Sequence, residues 1–121
     1  MGQSFRDLIV WQRSIELTAY VYELSTGFPK SEVYGLTSQI RRAAVSIASN
    51  IAEGTGRGTK KEFTQFLNVA RGSNCELQAQ LIIAAKLQMA SQDQLVKAET
   101  LSHEVGRMLN GLLLSLRPTG D

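Results

Sequence analysis

The apolar positions of this 121-residue chain recur with the period of an α-helix, and no strictly alternating run is bounded by turn residues as a strand would be. Breaks rich in glycine, proline or serine divide the pattern into four segments. The spacing predicts helices over residues 5–24 and 32–53, a third beginning after Thr59, and a fourth over residues 92–116. Short connections between four helices predict an all-α, antiparallel up-down four-helix bundle. We find no linker or internal repeat, so residues 1–121 are interpreted as one domain.

Two apolar stripes follow the first predicted helix, on roughly opposite sides at about 100° per residue. We expect the first stripe to face the core; it comprises Leu8, Trp11, Ile15, Ala19 and Tyr22. A helix in a lone small bundle needs only one such stripe. The second is therefore predicted to be an oligomer interface, and it comprises Val10, Leu17, Val21 and Leu24. The alternative is a set of scattered exposed apolar residues, which are common on protein surfaces.

The second predicted helix has an apolar stripe, a seam of small residues and a polar face. The seam consists of Ala44, Ala48 and Ala52, and it would let another backbone approach closely. On the polar face we predict a structural network that fixes helix register. Its proposed members are Arg42, Asn50 and Glu53, with Glu76 joining from the third helix.

The segment AEGTGRGTKKEF, residues 52–63, joins the second helix to the third. Gly54 is predicted to end the second helix, and its neighbouring glycines would permit positive φ in a tight reversal. Thr59 and Glu62 have the spacing of a capping box. A strand does not precede the glycines and a Gly-Lys-Ser/Thr sequence does not follow them, so the loop fits neither a Walker motif nor a dinucleotide fingerprint.

Charge is concentrated around this loop, although the whole chain carries a net charge of only +2. Residues 41–71 contain six basic and two acidic side chains. Lys60 and Lys61 begin a helix whose amino terminus disfavours cations, unless a bound anion reverses that effect. We therefore predict nucleic-acid binding by Arg57, Lys60 and Lys61, with Arg41 and Arg71 secondary. The alternative is that these exposed charges serve only solubility.

Candidate catalytic and metal-binding groups are few. The chain has one histidine, His103, and one cysteine, Cys75, with no local motif joining them. We expect no catalytic residue, no metal and no cofactor. A single cysteine cannot form an internal disulfide, which favours a reducing compartment. No segment has the roughly 18 consecutive apolar residues of a membrane span. These features predict a cytoplasmic protein without a membrane partner.

One long series of residues resembles a known family. It includes LIVWQRSIEL and FPKSEVYGLTSQIRRAAVSIASNIAEGTGRGTKKEFTQFLNVARGSNCELQAQL. The series is similar to the bacterial four-helix-bundle proteins encoded in intervening sequences of large-subunit ribosomal RNA genes. The accessory protein of diversity-generating retroelements looks like a relative. Ala48 departs from the family pattern, which often has a proline there, so a proline-linked bend is not expected.

The resemblance implies a ring-shaped homopentamer and no enzymatic activity. The retroelement relative is a basic barrel that binds nucleic acid and a reverse transcriptase. We therefore expect a non-enzymatic, oligomeric bundle with weak, backbone-directed binding of RNA or DNA. The alternative is a scaffold that docks a protein partner such as a reverse transcriptase and contacts nucleic acid only incidentally.

Overall fold

A computed structural model describes residues 4–118, and within that range every regular element is helical. The elements are a 3₁₀ turn at Phe5–Asp7, α1 (Ile9–Ser25), a second 3₁₀ turn at Lys30–Glu32, α2 (Leu36–Thr55), α3 (Lys60–Lys86) and α4 (Gln92–Ser115). In the described range, no helix is long and apolar enough to cross a membrane.

The four helices form an antiparallel bundle in which α1 and α3 each pack against both α2 and α4. Side-chain contacts show the direction of the helices, because residue numbers rise on one helix while they fall on its neighbour. The pairs are Thr18–Ala44 and Tyr22–Arg41 for α1–α2, Ser46–Ser73 and Gly54–Phe63 for α2–α3, Asn74–Ser102 and Arg71–Asn110 for α3–α4, and Arg13–Glu104 and Tyr20–Lys97 for α1–α4. The predicted up-down topology is thus observed.

The prediction of an oligomer interface on α1 was wrong. Its residues Val10, Leu17, Val21 and Leu24 are at most 5% exposed and belong to the core of this single chain. The stripe assigned to the core lies instead at the surface or at its edge, where Ile15 is 41% and Tyr22 43% exposed. The two stripes exchange roles because the side of α1 between α2 and α4 is the one that carries Leu17 and Val21.

The first helix also begins later than predicted. Ser4 does cap a turn, since its Oγ accepts a hydrogen bond from the Arg6 N–H at 3.1 Å, but the turn is 3₁₀ and ends at once. Leu8 is extended, with φ −78° and ψ 124°, and α1 starts at the next residue. The extended Leu8 between the 3₁₀ turn and α1 places the Phe5 ring edge-on to Trp11, with ring centroids 4.9 Å apart. Aromatic packing here replaces a continuous first helical turn.

The second helix begins at Leu36 and not near Glu32 as predicted. Glu32 belongs to the preceding 3₁₀ turn, and its Oε1 accepts a hydrogen bond from the Leu36 N–H at 3.0 Å. A carboxylate therefore caps the amino terminus of α2, where negative charge is favoured. The other end of α2 extends two residues past the predicted Glu53, to Thr55.

The third and fourth helices match their predictions closely. α3 starts directly after Thr59, and Gly72 does not interrupt it. Ser91 and Gln94 form a complete capping box at the start of α4, which ends one residue before the predicted Leu116. Between the two helices Gln88 has a φ of 55°, and the Met89 N–H donates to the Ala84 carbonyl. This is the 6→1 bond of a Schellman termination.

Candidate nucleic-acid interface

Gly54 sets how closely α2 approaches α3 beneath the predicted binding loop. It lies inside α2 and is buried, so the prediction that it ends the helix was wrong. A Cβ at this position would come within 2.9 Å of both Phe63 Cδ1 and Phe66 Cβ. Gly56 follows the helix with a φ of −80°, so the turn between α2 and α3 does not have the positive φ that the sequence predicted at this glycine. The glycine at position 54 is needed for space and not for backbone conformation.

The start of α3 places two lysines side by side on the surface. Thr59 caps the helix, because its Oγ1 accepts a hydrogen bond from the Glu62 N–H at 3.1 Å. The reciprocal half of the predicted capping box differs, since the Glu62 carboxylate accepts from the Thr59 hydroxyl and not from the backbone. Lys60 and Lys61 are both exposed, and neither forms an ion pair with an acidic residue of the described range. Two cations therefore stand unneutralised at a positive helix end.

Arg57 lies beside these lysines but is held by its own chain. Its Nη2 forms an ion pair with Glu53 Oε2 at 2.9 Å, and its guanidinium carbon lies 4.9 Å from the centre of the Phe66 ring. Both ion-pair partners are about half exposed, so the pair is weak and solvent-screened. Arg57 can contact a phosphate at the edge of the loop, although Glu53 competes for it.

A cleft of about 630 Å³ opens between the start of α3 and the end of α4. One wall is formed by α3 residues Lys60, Lys61, Thr64 and Gln65. The other is formed by the end of α4 and the residues after it: Leu113, Ser115, Leu116, Arg117 and Pro118. Arg117 is a third cation that the sequence analysis did not single out, because it lies 56 residues further along the chain than Lys61. Only the antiparallel packing of α3 and α4 brings it to the same place.

The two secondary candidates lie away from this cleft. Arg41 is half-buried, and its Nε donates to Ser25 Oγ at 2.8 Å while its guanidinium lies over the Tyr22 ring. It precedes the end of α2 by 14 residues, which corresponds to about 21 Å along the helix axis. Arg71 is exposed on α3 and donates to Asn68 and Asn110. The structure thus groups Arg57 with Lys60 and Lys61, and separates Arg41 from them.

The predicted polar network was wrong. No hydrogen bond or ion pair of residues 4–118 joins Arg42 to Asn50, Glu53 or Glu76. Glu53 pairs instead with Arg57, and Asn50 donates to Ser46 on its own helix. Arg42 and Glu76 are exposed and line one groove of about 370 Å³ between α2 and α3. Arg42 precedes Asn50 by eight residues and Glu53 by eleven, which is about 12 Å and about 16.5 Å along the helix axis, so sharing a helix face does not bring these side chains into contact.

A polar pair that the sequence analysis missed does lie in the core. Asn74 and Ser102 are 2% and 0% exposed. Asn74 Nδ2 donates to the Ser102 carbonyl oxygen at 2.9 Å, and Ser102 Oγ donates to Asn74 Oδ1 at 2.8 Å. The available signal was that each residue falls in helical register with core leucines and alanines. This pair ties α3 to α4 and does not line the cleft.

The remaining reactive side chains do not assemble into a site. Cys75 and His103 are both exposed, and no hydrogen bond within the described range joins them. In residues 4–118 no group of three histidine, cysteine, aspartate or glutamate residues is placed to hold a metal ion. The expectation of a non-enzymatic protein stays a prediction.

Known proteins place this bundle in a family. The family described as 23S rRNA-intervening sequence protein matches residues 6–111. None of the curated proteins matches the chain. Among solved structures it is similar to a protein of unknown function from the S23 ribosomal protein family of Bacteroides thetaiotaomicron. The two share 21% sequence identity with a TM-score of 0.80, over 88% of this chain and 96% of the other. At this identity the likeness concerns the fold alone.

Proposed function

The chain belongs to the 23S rRNA-intervening sequence protein family, and we propose that it is a non-enzymatic, homo-oligomeric bundle that binds the phosphate backbone of RNA or DNA. The binding surface is the basic tip, which we define as Lys60, Lys61 and Arg117 with Arg57 at its edge. The protein's single cysteine, Cys75, is exposed and forms no disulfide, which fits a reducing, cytoplasmic compartment.

The observation that carries this proposal is the adjacent pair Lys60–Lys61 at the amino terminus of a 27-residue helix. Cations there oppose the helix dipole, at a cost of a few tenths to about 1 kcal/mol. A phosphate bound at the tip removes the conflict, since free N–H groups and ammonium groups then face the same anion. Plain solubility does not require lysines at this position, because any exposed turn would serve.

The composition of the tip favours contacts to phosphates over sequence readout. Lysine is a flexible point charge, and Arg57 is already shared with Glu53. Binding of this kind depends strongly on salt and weakly on base sequence. Its affinity per subunit is small, so several tips must act together.

Association into an oligomer supplies that multiplicity. The proposed interface is the outer side of the α1–α2 junction, where Ile15, Tyr22 and Val45 are each 40–43% exposed. Ile15 and Tyr22 flank Thr18, whose hydroxyl donates to the Ala44 carbonyl across that junction. The number of subunits, five, follows from the family resemblance. A ring repeats the basic tip and raises avidity without new contacts.

Fluorescence anisotropy with labelled single- and double-stranded RNA and DNA, at low and physiological salt, tests the proposal. We expect binding that weakens steeply with salt, and the double variant Lys60→Ala/Lys61→Ala should weaken it on every probe and reduce the salt slope by about two for each tip that contacts the nucleic acid. The matched control is Lys30→Ala/Lys86→Ala, which removes two exposed lysines from the opposite end of the bundle. Equal losses of affinity in both double variants would mean that the tip contributes only general surface charge. Absence of binding at low salt would overturn the proposal.

A second candidate function is a scaffold that docks a partner protein, such as a reverse transcriptase. The observation that favours it is a set of apolar side chains at the end of α3 and just after it: Ile82, Ile83 and Leu87 are 55%, 46% and 59% exposed. Exposed apolar clusters often mark protein contacts. Purification that recovers one stoichiometric protein, lost in Ile83→Ser/Leu87→Ser but kept in Lys60→Ala/Lys61→Ala, would favour the scaffold.

A further inference from the structure

The cleft beside the basic tip has an apolar floor that phosphate binding alone does not explain. Leu113 and Leu116 are half-buried and pack against the core on one side while lining the cleft on the other. Pro118 extends the same wall.

Two polar side chains also line the cleft, exposed Gln65 and half-buried Thr64. Neither the Gln65 amide nor the Thr64 hydroxyl makes a side-chain hydrogen bond within residues 4–118, although both line the cleft. An amide offers two donors and an acceptor. The cleft therefore combines three cations, an apolar wall and an amide that is free to bond.

We propose that this cleft receives one unpaired nucleotide, with its phosphate at Lys60, Lys61 and Arg117 and its base against Leu113 and Leu116. The inference rests on the proposed nucleic-acid binding and names its substrate class: single-stranded segments, loops or ends. A duplex keeps its bases stacked inside, so it presents phosphates to the lysines but leaves the apolar wall without a partner. An unpaired nucleotide supplies both an anion and an apolar face, joined at a short distance.

The cleft is not an aromatic stacking platform, because no aromatic side chain lines it. The base instead gains from apolar burial against leucine and from hydrogen bonds to Gln65. An acidic peptide is the competing occupant, since it also satisfies the three cations. Its carboxylates lack the flat apolar surface that the leucine wall complements, so we favour the nucleotide.

The test measures anisotropy of the full chain with a 12-residue uridine RNA and with a 12-base-pair RNA duplex. We expect the single strand to bind at least fivefold more tightly. Leu113→Ser should weaken single-strand binding about threefold to tenfold, as expected from lost apolar burial, and leave duplex binding unchanged. The matched control is Leu114→Ser, which alters an exposed leucine of the same turn that does not line the cleft. Circular dichroism checks that both variants fold.

A second measurement uses only the wild-type protein, so it stands even where Leu113→Ser fails to fold. A 2-aminopurine base within the single strand should become less accessible to acrylamide when the protein binds. Equal affinity for strand and duplex, with no protection of 2-aminopurine, would overturn the cleft assignment while leaving backbone binding intact. The assignment would also be overturned if polyglutamate displaced the labelled single strand as effectively as uridine RNA of equal charge does. Failure of every nucleic acid to bind would instead remove the proposed function itself.

Discussion

Asn74 of α3 and Ser102 of α4 exchange two hydrogen bonds in the interior of the bundle, at 2.9 Å and 2.8 Å. Gly106, one turn further along α4, leaves room for this pair, because a Cβ there would lie 3.2 Å from Asn74 Nδ2. The contact aligns the two helices whose ends form the cleft. A polar pair in an apolar core tolerates little change of register, since any slip leaves buried groups without partners.

Ser102→Ala should therefore lower the free energy of unfolding by about 1–3 kcal/mol, because Asn74 Oδ1 loses the hydroxyl that donates to it. Urea denaturation followed by circular dichroism measures this change. The control is Ser115→Ala on the same helix, where the serine is exposed. If the two variants are equally stable, the Asn74–Ser102 contact does not hold the helices together.

Gly54→Ala should destabilise the bundle by about 1–3 kcal/mol, since the added methyl group meets Phe63 and Phe66 at 2.9 Å. Gly58→Ala is the control in the loop that follows α2, because a Cβ added there would meet nothing within 4 Å and the φ of Gly58 is not left-handed. Thermal unfolding of the two variants should differ clearly. Similar melting temperatures would mean that α2 and α3 separate easily at this end.

Gln88→Gly should stabilise the protein by about 0.5–1 kcal/mol. Gln88 holds a left-handed conformation with φ 55° after α3, where glycine avoids the steric cost of a Cβ. Chemical denaturation provides the measurement. Gln92→Gly, in the first turn of α4, should have the opposite effect because glycine weakens an ordinary helical position. A destabilised Gln88→Gly variant would contradict this account of the α3–α4 connection.

The sequence predicted the elements well and their contacts less well, for physical reasons. The starts of α3 and α4 were predictable because the caps Thr59 and Ser91 act within four residues. The choice between the two stripes of α1 was not local: both are apolar, and only packing against α2 and α4 decides that Leu17 is buried and Tyr22 is half exposed.

In the candidate site, too, local features could be predicted from the sequence and contacts between helices could not. Lys60 and Lys61 could be singled out from the sequence because a charge conflict with a helix terminus is a local property. Arg117 could not, since its nearness to them depends on the full length and direction of α4. Arg41 was equally unpredictable as a structural residue, because its partners Ser25 and Tyr22 lie on a different helix.

Arg41→Ala is expected to lower the free energy of unfolding by about 1 kcal/mol and leave nucleic-acid affinity unchanged. The variant loses the hydrogen bond to Ser25 Oγ and the contact with the Tyr22 ring, both of which join α1 to α2. Denaturation and anisotropy on the same preparation separate the two effects. A fall in affinity as large as that of Lys60→Ala/Lys61→Ala would instead mean that Arg41 contacts the nucleic acid.

Lys60→Glu/Lys61→Glu should change stability and binding in opposite directions. Glutamates in the first turn of α3 complement the helix dipole, so the unfolding free energy should rise by a few tenths to about 1 kcal/mol at low salt. The same carboxylates repel phosphates, so nucleic-acid binding should be lost. Lys86→Glu, in the last turn of the same helix, should instead destabilise the protein and leave binding intact.

Thermal melts at low and high salt, paired with anisotropy, measure both quantities. A double glutamate variant that is less stable than wild type would mean that the lysines make structural contacts of their own, and it would remove the argument that their position reflects a bound anion.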